Sequence, residues 1–376
     1  MQFPHRIALS VLAAIGTLAA HAAGTRQGHG AAGKMSAKRG YSGQRIAALA
    51  RIALGTIAIS ACEEAPSVLR PASQPAHTLS VLGWWLLAIG AAVIVIIGVL
   101  ELVPVFRRRG GTVADTPVSG APASTRWIII GVALTSIVMI AVFAYSMTVL
   151  AETSRPHERA ALTIQIVGHR WWWEARYPPS DSTPELSTAN ELHIPVGVPV
   201  RLEVSSGDVI HSFWIPRLQG KIDLIPGQLN EFWIRADSAG RYRGQCAEYC
   251  GLQHTNMAVF VTAESARDFS SWRQAQSQPA AQPRNGEAAQ GERVFMQTCA
   301  LCHTIRGTDA RGRMGPDLTH VASRQTLAAG TLTNSRGNLA GWIVNAPSLK
   351  PGADMPKIDL APSQLHSVVT YLETLR

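Results

Sequence analysis

Two long apolar runs interrupt the first half of the chain. Residues 79–100 and 127–150 are uncharged, and each is long enough to cross a hydrocarbon core of about 30 Å as a helix. Trp84, Trp85 and Trp127 lie near their ends, as interfacial aromatics do. Beyond residue 152 the period changes to two. Residues 162–167 alternate, and so do 200–204, with Val200, Leu202 and Val204 on one face. Further strands are expected at 231–235 and 257–261, with Pro195, Gly197, Pro199 and the Pro226-Gly227 pair as punctuation. Many short strands with turns between them predict a β-sandwich or barrel. A Gln/Ala/Pro/Ser-rich stretch follows at 276–290 and reads as a linker. The pattern then becomes helical at 288–298 and 362–375, where Leu365, Val368, Val369 and Leu372 share a stripe. The expected architecture is multidomain: a two-helix transmembrane hairpin over 75–152, an all-β Greek-key domain over 155–274, a linker over 275–287 and an all-α domain over 288–376.

Charge adds orientation. The chain carries 34 Lys+Arg against 25 Asp+Glu. Seven of the bases and no acid fall within residues 1–61, so the remainder is close to neutral. A nucleic-acid partner is therefore not expected, because a nucleic-acid-binding protein keeps its basic face in the folded domains. Only 16% of residues are charged, against roughly 25% in soluble domains. Residues 1–61 read as a leader. The apolar run 7–20 behind Arg6 ends at Ala20-His21-Ala22, a signal-peptidase-like site. A second basic stretch leads to Ile59-Ser60-Ala61-Cys62, which resembles a bacterial lipobox. The expectations are that Met35 is the true start, that 1–34 are an over-long reading, and that Cys62 carries lipid. Arg107, Arg108 and Arg109, with Arg126, place the inter-helix loop in the cytoplasm. The protein is thus expected in a bacterial inner membrane, two-pass, with everything after Glu152 in the periplasm.

The remaining cysteines form two close pairs, Cys246/Cys250 and Cys299/Cys302, too few for a disulfide scaffold. In the β domain Cys246, Cys250, His254 and Met257 fall within twelve residues, and His211 lies upstream beside Asp208. Thiolate and thioether ligands suit Cu(I), and imidazole suits several metals. Two Cys and two His could also close a zinc tetrahedron, leaving Met257 idle. A disulfide would leave the histidines and Met257 unexplained.

These stretches, with the Trp171-Trp172-Trp173 run after Gly168-His169-Arg170 and the segment from Gly220 to Gly227, closely resemble subunit II of haem-copper cytochrome c oxidases over about residues 75–270. The resemblance implies a cupredoxin-like fold and a dinuclear copper centre, CuA. Cys246 and Cys250 would bridge the coppers, His211 and His254 would bind one each, Met257 would be a weak ligand to one, and the Glu248 carbonyl would serve the other. It further implies that the Glu248 side chain helps hold Mg²⁺ shared with subunit I, and that Trp171, with Trp172 and Trp173, receives electrons. Three consecutive tryptophans on one strand cannot share a face, so at least one is expected to be exposed, as part of a docking patch. Many relatives carry an acid just before the second helix. Here that stretch reads Ala123-Ser124-Thr125-Arg126, so the route of proton uptake on this chain is open.

In the C-terminal domain Cys299-Ala300-Leu301-Cys302-His303 is the c-type haem attachment pattern; a zinc or redox Cys-x-x-Cys is the alternative. Met296, Met314 and Met355 are candidates for a sulfur sixth ligand, which raises haem potential, and His320 is a nitrogen alternative. Gly352 to Pro356, containing Met355, resembles the distal loop of class I cytochromes c. Gly315 to Leu318 resembles their proximal loop, in which the Pro316 carbonyl would accept the His303 ring N–H.

The combination implies an electron relay, a caa-type subunit II of a cytochrome c oxidase. Electrons from cytochrome c or a cytochrome bc complex would pass through haem c and CuA to haem in subunit I, where O₂ reduction drives proton translocation; subunits I and III are the implied partners. The enzyme activity belongs to the complex, because the chain lacks the O₂-reducing site. The fused domain is expected to dock through the aromatic patch more than through charge, since residues 155–284 are nearly neutral. Two other readings stay open: a CuA subunit of a nitric oxide reductase, and a non-catalytic copper or redox sensor.

Overall fold

The computed structural model describes residues 66–106, 122–154, 160–180, 183–283 and 286–376. The leader with Cys62, and the Arg107–Arg109 cluster, lie outside the described residues.

The apolar runs form helices α1 (Gln74–Phe106) and α2 (Pro122–Ser154), which exceed the expected spans at both ends. Ile94, Leu100, Ile137, Ile140 and Phe143 are all exposed on them. A helix apolar all round needs an apolar surrounding, and each contains 30 residues long and apolar enough to cross a membrane. The β domain sits on their far ends. The Thr153 carbonyl, left without a partner at the end of α2, accepts from Trp233 Nε1 at 3.0 Å and Gln219 Nε2 at 3.2 Å. Before α1, Ala72 donates to the Arg217 carbonyl and its own carbonyl accepts from Asp237 N.

Ten strands build that domain: β1 (Leu162–His169), β2 (Trp172–Tyr177), β3 (Leu186–Ala189), β4 (Glu191–Pro195), β5 (Val200–Ser206), β6 (His211–Trp214), β7 (Lys221–Leu224), β8 (Asn230–Ile234), β9 (Gly240–Cys246) and β10 (Ala258–Glu264). They form two five-stranded sheets, ordered β3-β2-β1-β5-β8 and β4-β10-β9-β6-β7. β1 pairs in parallel with β5, and β10 in parallel with β4; the other pairs are antiparallel. Alternate residues Ile164, Ile166, Val200, Leu202 and Val204 are fully buried between the sheets, as the period of two requires. The non-sequential order matters for the site. It brings the start of β6, the end of β9 and the loop before β10 to one end of the sandwich, so residues 35 to 46 apart in sequence meet there.

Helix α3 (Ala266–Ser277) is capped by the Ser265 hydroxyl, which accepts from Asp268 N at 3.1 Å. Its Trp272 stacks on His193 with ring centres 4.1 Å apart. The chain then enters the C-terminal domain: α4 (Gly286–Thr298), the short strands β11 (Thr326–Leu327) and β12 (Leu332–Thr333), α5 (Arg336–Leu349) and α6 (Pro362–Thr374). That small hairpin departs from an all-helical plan. α4 and α6 cross at Gly291, where a Cβ would lie 2.0 Å from the Ser367 carbonyl oxygen. Phe295, Val368, Tyr371 and Leu372 fill the core around this crossing.

The expected linker does not swing free where it is described. Gln276 and Ser277 are buried at the end of α3. The Arg306 guanidinium donates to both of their carbonyls, and Ala280 N donates to the Arg306 carbonyl at 2.8 Å.

Candidate functional site

The first cluster lies at the end of the sandwich. His211 opens β6, Cys246 closes β9, and Cys250, His254 and Met257 follow in the loop to β10. The Cys246 and Cys250 sulfurs are 3.8 Å apart, far beyond the roughly 2.05 Å of a disulfide, and both thiols are free and buried. His211 Nδ1 is 3.9 Å from the Cys246 sulfur, His254 Nδ1 is 3.7 Å from the Cys250 sulfur, and Met257 Sδ is 3.8 Å from it. The Glu248 carbonyl accepts from Cys246 at 3.2 Å. All six donors named from the sequence therefore converge. Two soft sulfurs in the middle with a nitrogen on each side fit a sulfur-bridged pair of copper ions better than one tetrahedral zinc, because Met257 and the carbonyl are drawn in as well.

The electrostatics act in opposite directions on the thiol and the imidazole. The second sulfur, the His211 ring and backbone hydrogen bonds hold the Cys246 thiol well below its ordinary value, against its burial. His211 is fully buried; its Nε2–H donates to Asp208 Oδ1 at 2.8 Å, which leaves Nδ1 facing the sulfurs. Burial alone would lower the His211 pKa, but the Asp208 carboxylate and Cys246 raise it on balance. Sequence reading placed Asp208 beside His211 without giving it this role. The signal was its position three residues ahead in a tight loop.

The Glu248 side chain is half-exposed, with Lys221 Nζ 3.8 Å from its carboxylate. The tryptophans divide differently from the expectation of an exposed member. Trp173 is 1% exposed, packed edge-on against His211 and Phe213. Trp171 is 7% exposed and donates to the Cys250 carbonyl at 2.9 Å. Trp172 is half-buried and stacks on His169. Burial alternates through the run, and Trp171 lies in the turn before β2. It folds over the Cys250 loop instead of facing solvent.

The second cluster belongs to the C-terminal domain. Cys299 and Cys302 are free thiols just after α4, partly exposed. His303 Nδ1 donates to the Pro316 carbonyl at 2.9 Å, so Nε2 is the nitrogen left for a metal. Gly315 packs on the imidazole face; a Cβ there would lie 2.5 Å from Cε1. Burial lowers the His303 pKa and keeps the ring neutral, the form that ligates iron. This donor set fits covalent haem. Met355 stands half-buried in the loop between α5 and α6, Met296 is half-buried within α4, and Met314 is 77% exposed. His320 is committed elsewhere: its ring nitrogens lie 2.7 Å from the Arg376 carbonyl oxygen and 3.0 Å from that of Gln278.

Lys350 was not singled out in the sequence, where nothing marks it. It is 3% exposed and reaches across to the loops of the first cluster.

Comparison with known proteins matches both domains that carry these clusters. Residues 179–264 match the family model for the periplasmic domain of cytochrome c oxidase subunit II. Residues 288–376 match that for cytochrome c. Cytochrome c oxidase subunit 2 of Bacillus subtilis (strain 168) is 30% identical over 350 residues, covering 86% of this chain and 96% of that protein. Its counterpart from Alkalihalophilus pseudofirmus is 35% identical over 215 residues, 57% of this chain; the chain spans 61% of that relative's length. Among solved structures, the periplasmic domain of subunit II of cytochrome oxidase (CoxB) of Bradyrhizobium japonicum is 34% identical, covering 32% of this chain and 95% of that one, with a TM-score of 0.30. With one relative matched over nearly its whole length, and both folded domains matched by family models, the chain belongs to the cytochrome c oxidase subunit 2 family.

Proposed function

We propose that the chain is the electron-relay subunit of a cytochrome c oxidase, taking electrons from a cytochrome c or a cytochrome bc complex on the periplasmic side and delivering them to haem in subunit I. The observation that carries this reading is the convergence of His211, His254 and Met257 on the adjacent sulfurs of Cys246 and Cys250. That donor set would hold dinuclear copper, and Cys299, Cys302, His303 and Met355 would hold haem c. When bound, these groups supply one-electron redox chemistry at two positions on one chain.

The chain's own residues do the rest. Asp208 orients His211, and the Pro316 carbonyl orients His303, so each imidazole presents one fixed nitrogen. His211, Cys246, Cys250 and Met257 are buried, which restricts water around the sulfurs. The half-exposed Glu248 carboxylate remains available to a Mg²⁺ shared with subunit I once Lys221 moves aside. α1 and α2 would anchor the chain as a two-pass protein of the bacterial inner membrane. Subunit III is a further expected neighbour.

The test is metal and haem stoichiometry on the purified full chain, with electron paramagnetic resonance of the same sample. Two coppers sharing one unpaired electron, with one covalent haem per chain, are expected. A single copper, or zinc, would overturn the relay reading.

A further inference from the structure

Among the described Lys, Arg, Asp and Glu residues, Lys350 is the most deeply buried, at 3% exposure. Its ammonium donates to the carbonyls of Trp171 at 2.7 Å, Asn256 at 2.8 Å and Ala328 at 3.0 Å. Three donors meet three acceptors, which is what a buried ammonium requires. The acceptors come from different places. Trp171 and Asn256 belong to the copper-binding domain, and Asn256 directly precedes Met257. Ala328 belongs to the haem-binding domain, as does Lys350 itself, five residues before Met355.

The neighbouring backbone continues the contact. Gln253 Nε2 donates to the Pro351 carbonyl at 3.0 Å. Gly352 and Gly251 lie against the Trp171 ring. A Cβ on Gly352 would stand 3.0 Å from Trp171 Cη2, and one on Gly251 would stand 3.0 Å from Cζ2. Both glycines have positive φ, +85° and +113°, which other residues adopt only with strain. A second anchor lies further along the interface. The buried Glu191 carboxylate accepts from Gln325 N, Thr326 N and the Thr326 hydroxyl, and Ala258 N donates to the Ala329 carbonyl at 3.1 Å.

We propose that Lys350 is a positioning residue that pins the Met355 loop onto the Trp171 ring, so that this tryptophan is an internal bridge between the two cofactor loops and is closed to any external donor protein. The proposal rests on the electron-relay reading above. A soluble donor then reaches the copper set only through the chain's own haem-binding domain. Gly251 and Gly352 let the two loops contact the ring without a side chain between, and the Trp171 N–H to the Cys250 carbonyl connects the ring to a copper ligand. Lys350 acts through Trp171 and the loop, and touches no cofactor.

The test uses the assembled oxidase. In the wild type, hydroxyl-radical footprinting should find Trp171 protected and Trp172 labelled, a readout that needs no variant. Lys350→Met keeps the apolar stem and removes the ammonium. It should expose Trp171 to labelling and slow haem-to-copper electron equilibration after photoreduction by about tenfold or more, while copper content, haem content and both spectra stay at wild-type values. Gly352→Val, which pushes the loop off the ring from the other side, should do the same. Labelling of Trp171 in the wild type would overturn the proposal. So would an equilibration rate within twofold of wild type in a fully loaded Lys350→Met or Gly352→Val protein. Absence of the copper pair in the wild type would instead sink the relay reading, so the two failures are distinguishable.

Discussion

Asp208 Oδ1 lies 2.8 Å from His211 Nε2, and the bond settles which face of the imidazole meets the sulfurs. With Nε2 occupied, Nδ1 is the nitrogen turned to Cys246, 3.9 Å away. The carboxylate is itself held, accepting from Arg170 N at 2.6 Å and Val209 N at 2.6 Å. Asp208→Ala should therefore leave the fold intact and weaken copper binding by about 10- to 100-fold, the usual cost of losing such an orienting partner. Copper competition against a chelator of known affinity measures this.

Cys246→Ser should remove the shared-electron copper signal while leaving haem attachment at Cys299 and Cys302 unchanged. The hydroxyl cannot bridge two soft ions as a thiolate does, and the two clusters stand in separate cores. Paired copper and haem assays on one preparation decide it. Loss of both would contradict the independence of the domains' cores.

Gly291→Ala tests the helix crossing that frames the haem site. The added methyl would sit 2.0 Å from the Ser367 carbonyl oxygen and 2.7 Å from Tyr371 Cβ, and backbone cannot yield as a side-chain end can. α4 and α6 must separate, at a cost of about 1–3 kcal/mol or more. A lowered midpoint in urea unfolding, followed at the haem absorbance, is expected.

Glu174 supplies an acid-side stability term. Burial raises its carboxyl, but hydrogen bonds from His169 and Arg176 outweigh this and hold it at about 2, below its ordinary 4.5. The stabilisation is present above pH 4.5 and is lost as pH falls from there towards 2, because the unfolded chain takes up the proton first. The site is partly solvated, so the contribution is on the order of 1–2 kcal/mol after screening. Urea titrations between pH 3 and 6 should show stability declining towards acid, and Glu174→Gln should flatten that slope.

Docking of the haem-binding domain draws on more than the aromatic contact expected from near-neutral charge. Trp171 lies at the interface, yet two buried charges, Lys350 and Glu191, also make polar contacts across it. A net charge near zero reports nothing about one ammonium placed over three carbonyls.

Local pattern was enough for much of this protein. Apolar length marked α1 and α2, a period of two marked β1 and β5, and a period near 3.6 marked α6, because each signal resides in the side chains of one element. The ligand sets were also legible, since copper and haem demand particular atoms at short spacings: five of the six copper donors lie between Cys246 and Met257, and three haem contacts between Cys299 and His303. What the chain order could not express were contacts between elements far apart in sequence. The burial of Trp171 and Lys350 reaching 179 residues back to the Trp171 carbonyl depend on how the two domains close on each other. Lysine in a short Pro- and Gly-flanked loop carries no mark of burial until packing removes its water and supplies three carbonyls in place of it. Residue types and spacing determined which cofactors this chain can hold; only the tertiary structure decided how the loops that hold them are joined.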